Sequence, residues 1–195
     1  GLRSMILHAL SKTEDADYTF VNRLYRKRNE ISESALAYTA LCLYSLDRNE
    51  MGRELLNILD TKATVNNIGT TFWKGEENIA WERNPVETTA VVLLAYEALA
   101  PESDFVVNAV NYLLYSKSSY GFTPGKAKGP VINALTNYYN TVKPQMNDYK
   151  LDIYVNNNLV ETVLADRGLG RADIEVSSKY IVNNENKIDF RINGT

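Results

Sequence analysis

Polar and apolar positions along this chain fall into two helical patterns and one extended pattern. Segments 32–46 and 85–99 are apolar almost all round. In the second, Val86, the run Ala90 to Tyr96, Ala98 and Leu99 leave a polar stripe of only Glu87, Thr88, Thr89 and Glu97. A helix of that kind lies in a membrane or inside a layered core. The segments that follow are one-sided, with Met51, Leu55, Ile58 and Leu59 in one and Phe105, Val106, Ala109, Val110, Leu113 and Leu114 in the other. The 3.6-residue period and its start signals predict helices near 3–12, 17–28, 32–46, 48–63, 85–99, 103–117 and 128–141. Asn84, Pro85 and Glu87 form a cap, a first-turn proline and a third-position carboxylate. Asp47 with Glu50 repeats that arrangement, and Ser32 can cap the helix over 32–46.

A spanning helix needs about 20 consecutive apolar residues. Glu87 and Glu97 interrupt the longest run, so membrane insertion by this segment is not expected. The remaining solution is a stack of helical hairpins. Aligning Leu43–Leu46 with Tyr96–Leu99 gives an offset of 53 residues, and Tyr96 with Tyr138 gives 42; helix-pair repeats recur at about 40–50 residues. The expected fold is mainly α: helical hairpins of an incomplete α/α toroid over 1–143, an open arc with an inner layer covered on both sides. Leu41, Leu43, Val92, Leu94 and Tyr96 are its expected core, while 70–82 and 119–129 read as extended hairpins between helix pairs.

Past Val142 the period changes to two. Leu151, Ile153 and Val155 alternate with Lys150, Asp152 and Tyr154; Asn156–Asn158 make a turn, and Leu159–Leu164 return. Ile174 with Val176, then Ile188, Phe190 and Ile192, continue the pattern, with a turn at 183–186. Residues 148–195 are therefore expected to form a small antiparallel β module.

Composition narrows the chemistry. A net charge of −3 argues against a nucleic-acid partner. The single cysteine, Cys42, excludes a disulfide framework and reads as a buried, inert thiol. No leader with a cleavage site is evident, and the chain reads as a piece of a longer protein. The basic run Arg23–Arg28 fits a solvated last helical turn, where cations favour the dipole. GFTPGKAKG is one residue short of a phosphate loop and has Ala127 where a magnesium-binding hydroxyl belongs. Glu76, Glu77 and Glu82 are candidate acid/base carboxylates, but nothing in the sequence fixes their separation. His8, the only histidine, sits beside Leu7 and Leu10 and reads as structural. No metal-ligand cluster and no cofactor are expected. Trp73, Trp81, Tyr120 and Phe122 lie in the inter-helix hairpins, where they either form a surface for protein or sugar or plug the ends of the helix layers.

The order of these pieces resembles a known family. LHALSK, ISESALAYTALCLYSLDRNEMGRELLNIL, the Trp-containing hairpin, VETTAVVLLAYEAL, AVNYLL, YGF and VINALTNYY resemble the later part of the thioester-type α/α-toroid domain of bacterial alpha-2-macroglobulins. The tail, KLDIYVNNNLVETVLADR and IVNNENKIDFRINGT, is similar to the β-segment that follows that domain. The likeness spans roughly residues 5 to 193 and rests mostly on apolar patterning. It implies a periplasmic or envelope protein that engages proteases or other proteins without catalysis of its own, alongside upstream domains of the same chain. The family's Cys-Gly-Glu-Gln thioester motif is absent, and its Ser-Thr-Gln-Asp stretch is replaced by Thr123–Lys128, so no active residue carries over. The rival class is a carbohydrate-active or terpenoid-type enzyme on an α/α toroid. Self-association is expected through Met5, Ile6, Leu7, Phe20 and Leu24 or through the β tail, since an uncapped hairpin stack leaves an apolar edge.

Overall fold

The computed structural model describes residues 1–13, 17–75, 84–119, 121–142, 149–165 and 174–194. The chain divides into two compact units, Gly1–Asn140 and Thr141–Thr195.

The first unit is built from α1 (Leu2–Ser11), α2 (Tyr18–Arg26), α3 (Glu33–Ser45), α4 (Asn49–Lys62), α5 (Pro85–Leu99), α6 (Asp104–Tyr115) and most of α7 (Lys128–Val142). Helices α1, α3 and α5 pack side by side, while α2, α4 and α6 cover them from outside. That layering explains the two apolar patterns. Helices α3 and α5 have neighbours on several sides and bury residues around most of their circumference, among them Leu36, Leu41, Leu43, Val92, Leu93 and Tyr96. Helix α4 buries one stripe, Gly52, Leu55, Leu56 and Leu59. Val131 and Ala134 of α7 complete the core, with Leu135 and Tyr138 half-buried against it. No helix among the described residues is long and apolar enough to cross a membrane.

Local signals account for the helix ends. Ser32 Oγ accepts from the Ala35 N–H, and Asn84 Oδ1 accepts from both Val86 and Glu87. Glu87 does not complete a reciprocal box; its carboxylate pairs instead with Lys126 at 2.6 Å. Two expectations need correcting. Asp47 is not the cap of α4: it holds φ 57° between α3 and α4. The next N–H, of Arg48, reaches back to Leu43 O at 2.8 Å, the helix-stop geometry that usually recruits glycine. Leu94 is only partly buried, because it shares a helical stripe with Glu87 and Ala98, and Leu93 takes its place in the core.

The connections also differ from expectation. The hairpin after α4 pairs β1 (Thr64–Val65) with β2 (Thr71–Phe72), so its first strand lies upstream of 70–82. Residues 76–83 lie outside the described residues. Segment 119–129 is not an extended hairpin; a bridge of Ser118 with Gly121 is followed by a 3-10 turn, Gly125–Ala127, that leads into α7.

In the second unit, β3 (Tyr149–Val155) is the middle strand of an antiparallel sheet between β4 (Asn158–Ala165) and β5 (Ile188–Gly194). The β3–β4 turn places Asn156 and Asn157 at φ 50° and 67°, the left-handed pair that a two-residue hairpin requires. Alternation puts Leu151, Ile153 and Val155 on one face, with Ile153 and Val155 buried. Ile174 and Val176 do not form a strand. The connection that follows is held by asparagines. Asn156 Nδ2 donates to Tyr180 O and Asn186 Oδ1, both at 2.8 Å, and Asn186 bonds in both directions with the Val182 backbone.

Candidate functional site

Helix α1 is amphipathic in the reverse sense. The residues it buries are Ser4 and Ser11, small side chains one heptad apart that let α1 approach α3 closely. There the Cys42 Sγ lies 4.0 Å from Ser4 O, and the His8 ring sits 5.6 Å from that of Tyr38. Burial, with Lys12 adding to it, pushes His8 down to about 4, so the ring is neutral near pH 7; burial pushes the Cys42 thiol up to about 11. Both groups are chemically quiet. The larger apolar side chains of α1, Leu2, Met5, Ile6 and Leu10, remain 40–52% exposed.

Part of that outward stripe forms a groove with α2. Its floor is Ile6, Leu7 and Leu10 from α1 with Phe20 and Leu24 from α2, and its volume is about 810 Å³. Arg3, Arg23, Arg26 and Lys27 stand along it. Part of the basic run thus does more than end a helix. Arg23 lies over the Phe20 ring at 5.4 Å, while Arg28 turns away to stack on Tyr25 and bond its carbonyl. No acidic side chain is among the described residues lining the groove.

A second concavity lies at the N-terminal ends of α1, α3 and α5, where Ser34, Tyr38, Glu87, Thr88 and Lys126 meet. Burial, and to a lesser extent the Glu87 charge, raises the Tyr38 hydroxyl above its ordinary value. The free volume is about 40 Å³, room for a few waters and far short of the roughly 300–1,000 Å³ of ligand pockets. The one carboxylate lining it, Glu87, is engaged by Lys126. The arrangement is a pinned end of the helix layer rather than an acid/base pair. Among the described residues no cluster of histidine, cysteine or carboxylates could hold a metal ion.

Of the four aromatic candidates, the two described, Trp73 and Phe122, belong to the core. Trp73 is fully buried: its indole N–H donates to Leu59 O at 2.8 Å, its backbone N–H donates to Thr89 Oγ1, and its ring sits 5.8 Å from both Tyr96 and Phe105. It locks the α4–α5–α6 junction and offers nothing to a ligand. Phe122 is buried at the edge of the same core. Trp81 and Tyr120, like Glu76, Glu77 and Glu82, lie outside the described residues. Of the groove's floor, Ile6, Leu7, Phe20 and Leu24 were expected as an exposed apolar edge; Leu10 and the part played by Arg3, Arg23, Arg26 and Lys27 were not, since a basic run at a helix end reads as a solvated last turn. Ser4 and Ser11 at i and i+7 were the available signal. In comparison with known proteins, the chain matches no protein-family model and no curated protein.

Proposed function

We propose that this chain is a non-catalytic protein-binding module, a stack of helical hairpins serving within a larger envelope protein of alpha-2-macroglobulin type, with proteases among its targets. The observation that carries this reading is the unspent apolar stripe of α1. A helix that buries two serines and leaves Ile6 and Leu10 exposed along the groove with α2, while Leu2 and Met5 edge the small concavity beside Tyr38 and Val91, is poorly explained by the fold's own stability. Contiguous exposed apolar surface rimmed by polar groups marks interaction sites. The order of apolar-all-round and one-sided helices adds support, since hairpin stacks serve as binding scaffolds. The rival enzymatic reading gains nothing from the cleft at Tyr38 and Glu87, which is too small for a sugar ring.

The test is direct binding. The purified chain is mixed with active-site-blocked serine, cysteine and metalloproteases, and complexes are detected by calorimetry and mapped by cross-linking. A saturable complex with at least one class, without turnover of glycan or isoprenoid substrates, is expected. Turnover of such substrates without any protein complex would overturn the reading.

A further inference from the structure

We propose that the groove between α1 and α2 receives an acidic amphipathic helix presented by a partner protein. The inference rests on the protein-binding reading above and gives it a location and a chemistry.

Three observations select this occupant. The first is shape. Ile6 and Leu10 on α1, and Phe20 and Leu24 on α2, are each one turn apart and line a trough of about 810 Å³. One face of a helix, with apolar residues at i, i+3 or i+4, and i+7, fills such a trough, whereas a flat bilayer surface cannot enter a concavity. The second is charge. Arg3, Arg23, Arg26 and Lys27 are all exposed beside the apolar floor, with no carboxylate among the described lining residues. A helix with Glu or Asp flanking its apolar stripe would meet cations contributed by both α1 and α2. Arg23 stacked on Phe20 is already held in place to do so. The third concerns a second copy of this chain. The helix with the most exposed large apolar side chains after α1 is α6, with Val107, Leu114 and Tyr115, and its only carboxylate is Asp104. The acidic face of α4, with Glu50, Glu54 and Asp60, exposes no large apolar side chain. Apolar and acidic character therefore do not coincide on any described helix of this chain, and charge complementarity favours a different protein.

The experiment uses the whole 195-residue chain and a fluorescent synthetic helix of about 18 residues, five turns, with leucines on one face flanked by glutamates. A sister peptide carries lysines in place of the glutamates. The acidic peptide is expected to bind at micromolar concentration and the lysine peptide at least about tenfold more weakly. Binding should weaken as salt rises from about 0.05 to 0.5 M. The double change Arg23→Gln with Arg26→Gln, and separately Phe20→Asp, should each cost about tenfold or more in affinity while leaving the circular dichroism native-like, with at most a small drop in unfolding midpoint for the pair that loses its cations from the last turn of α2. Both changes are at exposed positions. Equal binding of the two peptides, no binding of the acidic one, phosphatidylserine vesicles binding in its place, or a dimer in light scattering that excludes the peptide would each overturn the inference. If protease complexes form and are indifferent to these variants, the groove assignment falls alone; if no protein complex forms at all, the protein-binding reading falls with it.

Discussion

Replacing Glu97 with glutamine should change the pH dependence of stability between about pH 4.5 and 8, where burial holds a proton on its carboxyl in the folded chain. Glu97 lies near the end of α5, and both of its carboxylate oxygens are sealed from solvent. Burial raises the acid from its ordinary 4.5 to about 8, and the nearby Asn137 side chain only partly offsets this. Between those values the folded chain holds a proton that the unfolded chain has released. Unfolding then loses a proton, and stability falls as pH rises. At about 1.4 kcal/mol per unit the ceiling is about 5 kcal/mol; because the residue as a whole is only half-buried, a small local movement lets water reach the ionised carboxylate, and a realistic loss is about 2 kcal/mol. His8 acts in the opposite sense. Its value is lowered from 6.5 to about 4, so over that interval the unfolded state binds the extra proton and stability climbs with pH. The two effects oppose each other from 4.5 to 6.5, and from 6.5 to 8 only Glu97 acts. Urea unfolding followed by tryptophan fluorescence at half-unit pH steps should therefore show a plateau and then a decline for the native sequence. For Glu97→Gln the upper decline should vanish, leaving a rise through the lower interval. The same upper decline in the variant, or a native curve that rises across it, would refute the assignment.

Three further predictions concern packing and the backbone. Trp73→Ala should cost about 3–5 kcal/mol in urea unfolding, as a large core truncation, and Trp73→Phe should still cost something because Leu59 O loses its donor. Leu93→Ala should cost about 2–5 kcal/mol and Leu94→Ala clearly less, since only the first is fully buried; equal losses would contradict the rotation assigned to α5. Asp47→Gly should raise stability by roughly 0.5–1 kcal/mol by removing a side chain from a left-handed position, read as a higher thermal midpoint.

The helices were legible because the core imposes its period on the sequence. Where a helix has neighbours on several sides, as α3 and α5 do, almost every position is apolar, and where it has them on one side the stripe steps by three and four. Asn84 and Ser32 announced their helices because an uncapped N–H is costly and few side chains can satisfy it. What escaped was tertiary. Leu93 and Leu94 are identical in composition, and only the crossing of α5 over its neighbours decides which one faces in. For Trp73 the sequence offered a surface or a plug between helix layers, and only the bonds from its indole N–H to Leu59 O and its backbone N–H to Thr89 Oγ1 identify the plug. Asp47 looked like a helix start because an Asp-x-x-Glu spacing serves there, but its left-handed backbone serves the preceding stop.

Exposed apolar residues also differ in what they mean. A single exposed leucine is ordinary on any protein. The face of β5, where Ile188, Phe190 and Ile192 are all more than half exposed, is an edge strand on a thin sheet, and its register with Val155, Ile153 and Leu151 says only that this face is apolar. Helix α1 says more, because there the chain had a choice. Rotating α1 by half a turn would turn Ile6 and Leu10 toward α3 and the serines toward water, a gain of about 1.5–3 kcal/mol per large side chain against the loss of one, Leu7, which is half-buried on the core. The buried Ser4 hydroxyl lacks a hydrogen-bond partner among the described residues, and so does His8 Nδ1, so the observed orientation pays twice for its geometry. A helix held in the more costly of two orientations points to a need for the outward face, and in this chain that face is apolar and flanked by cations.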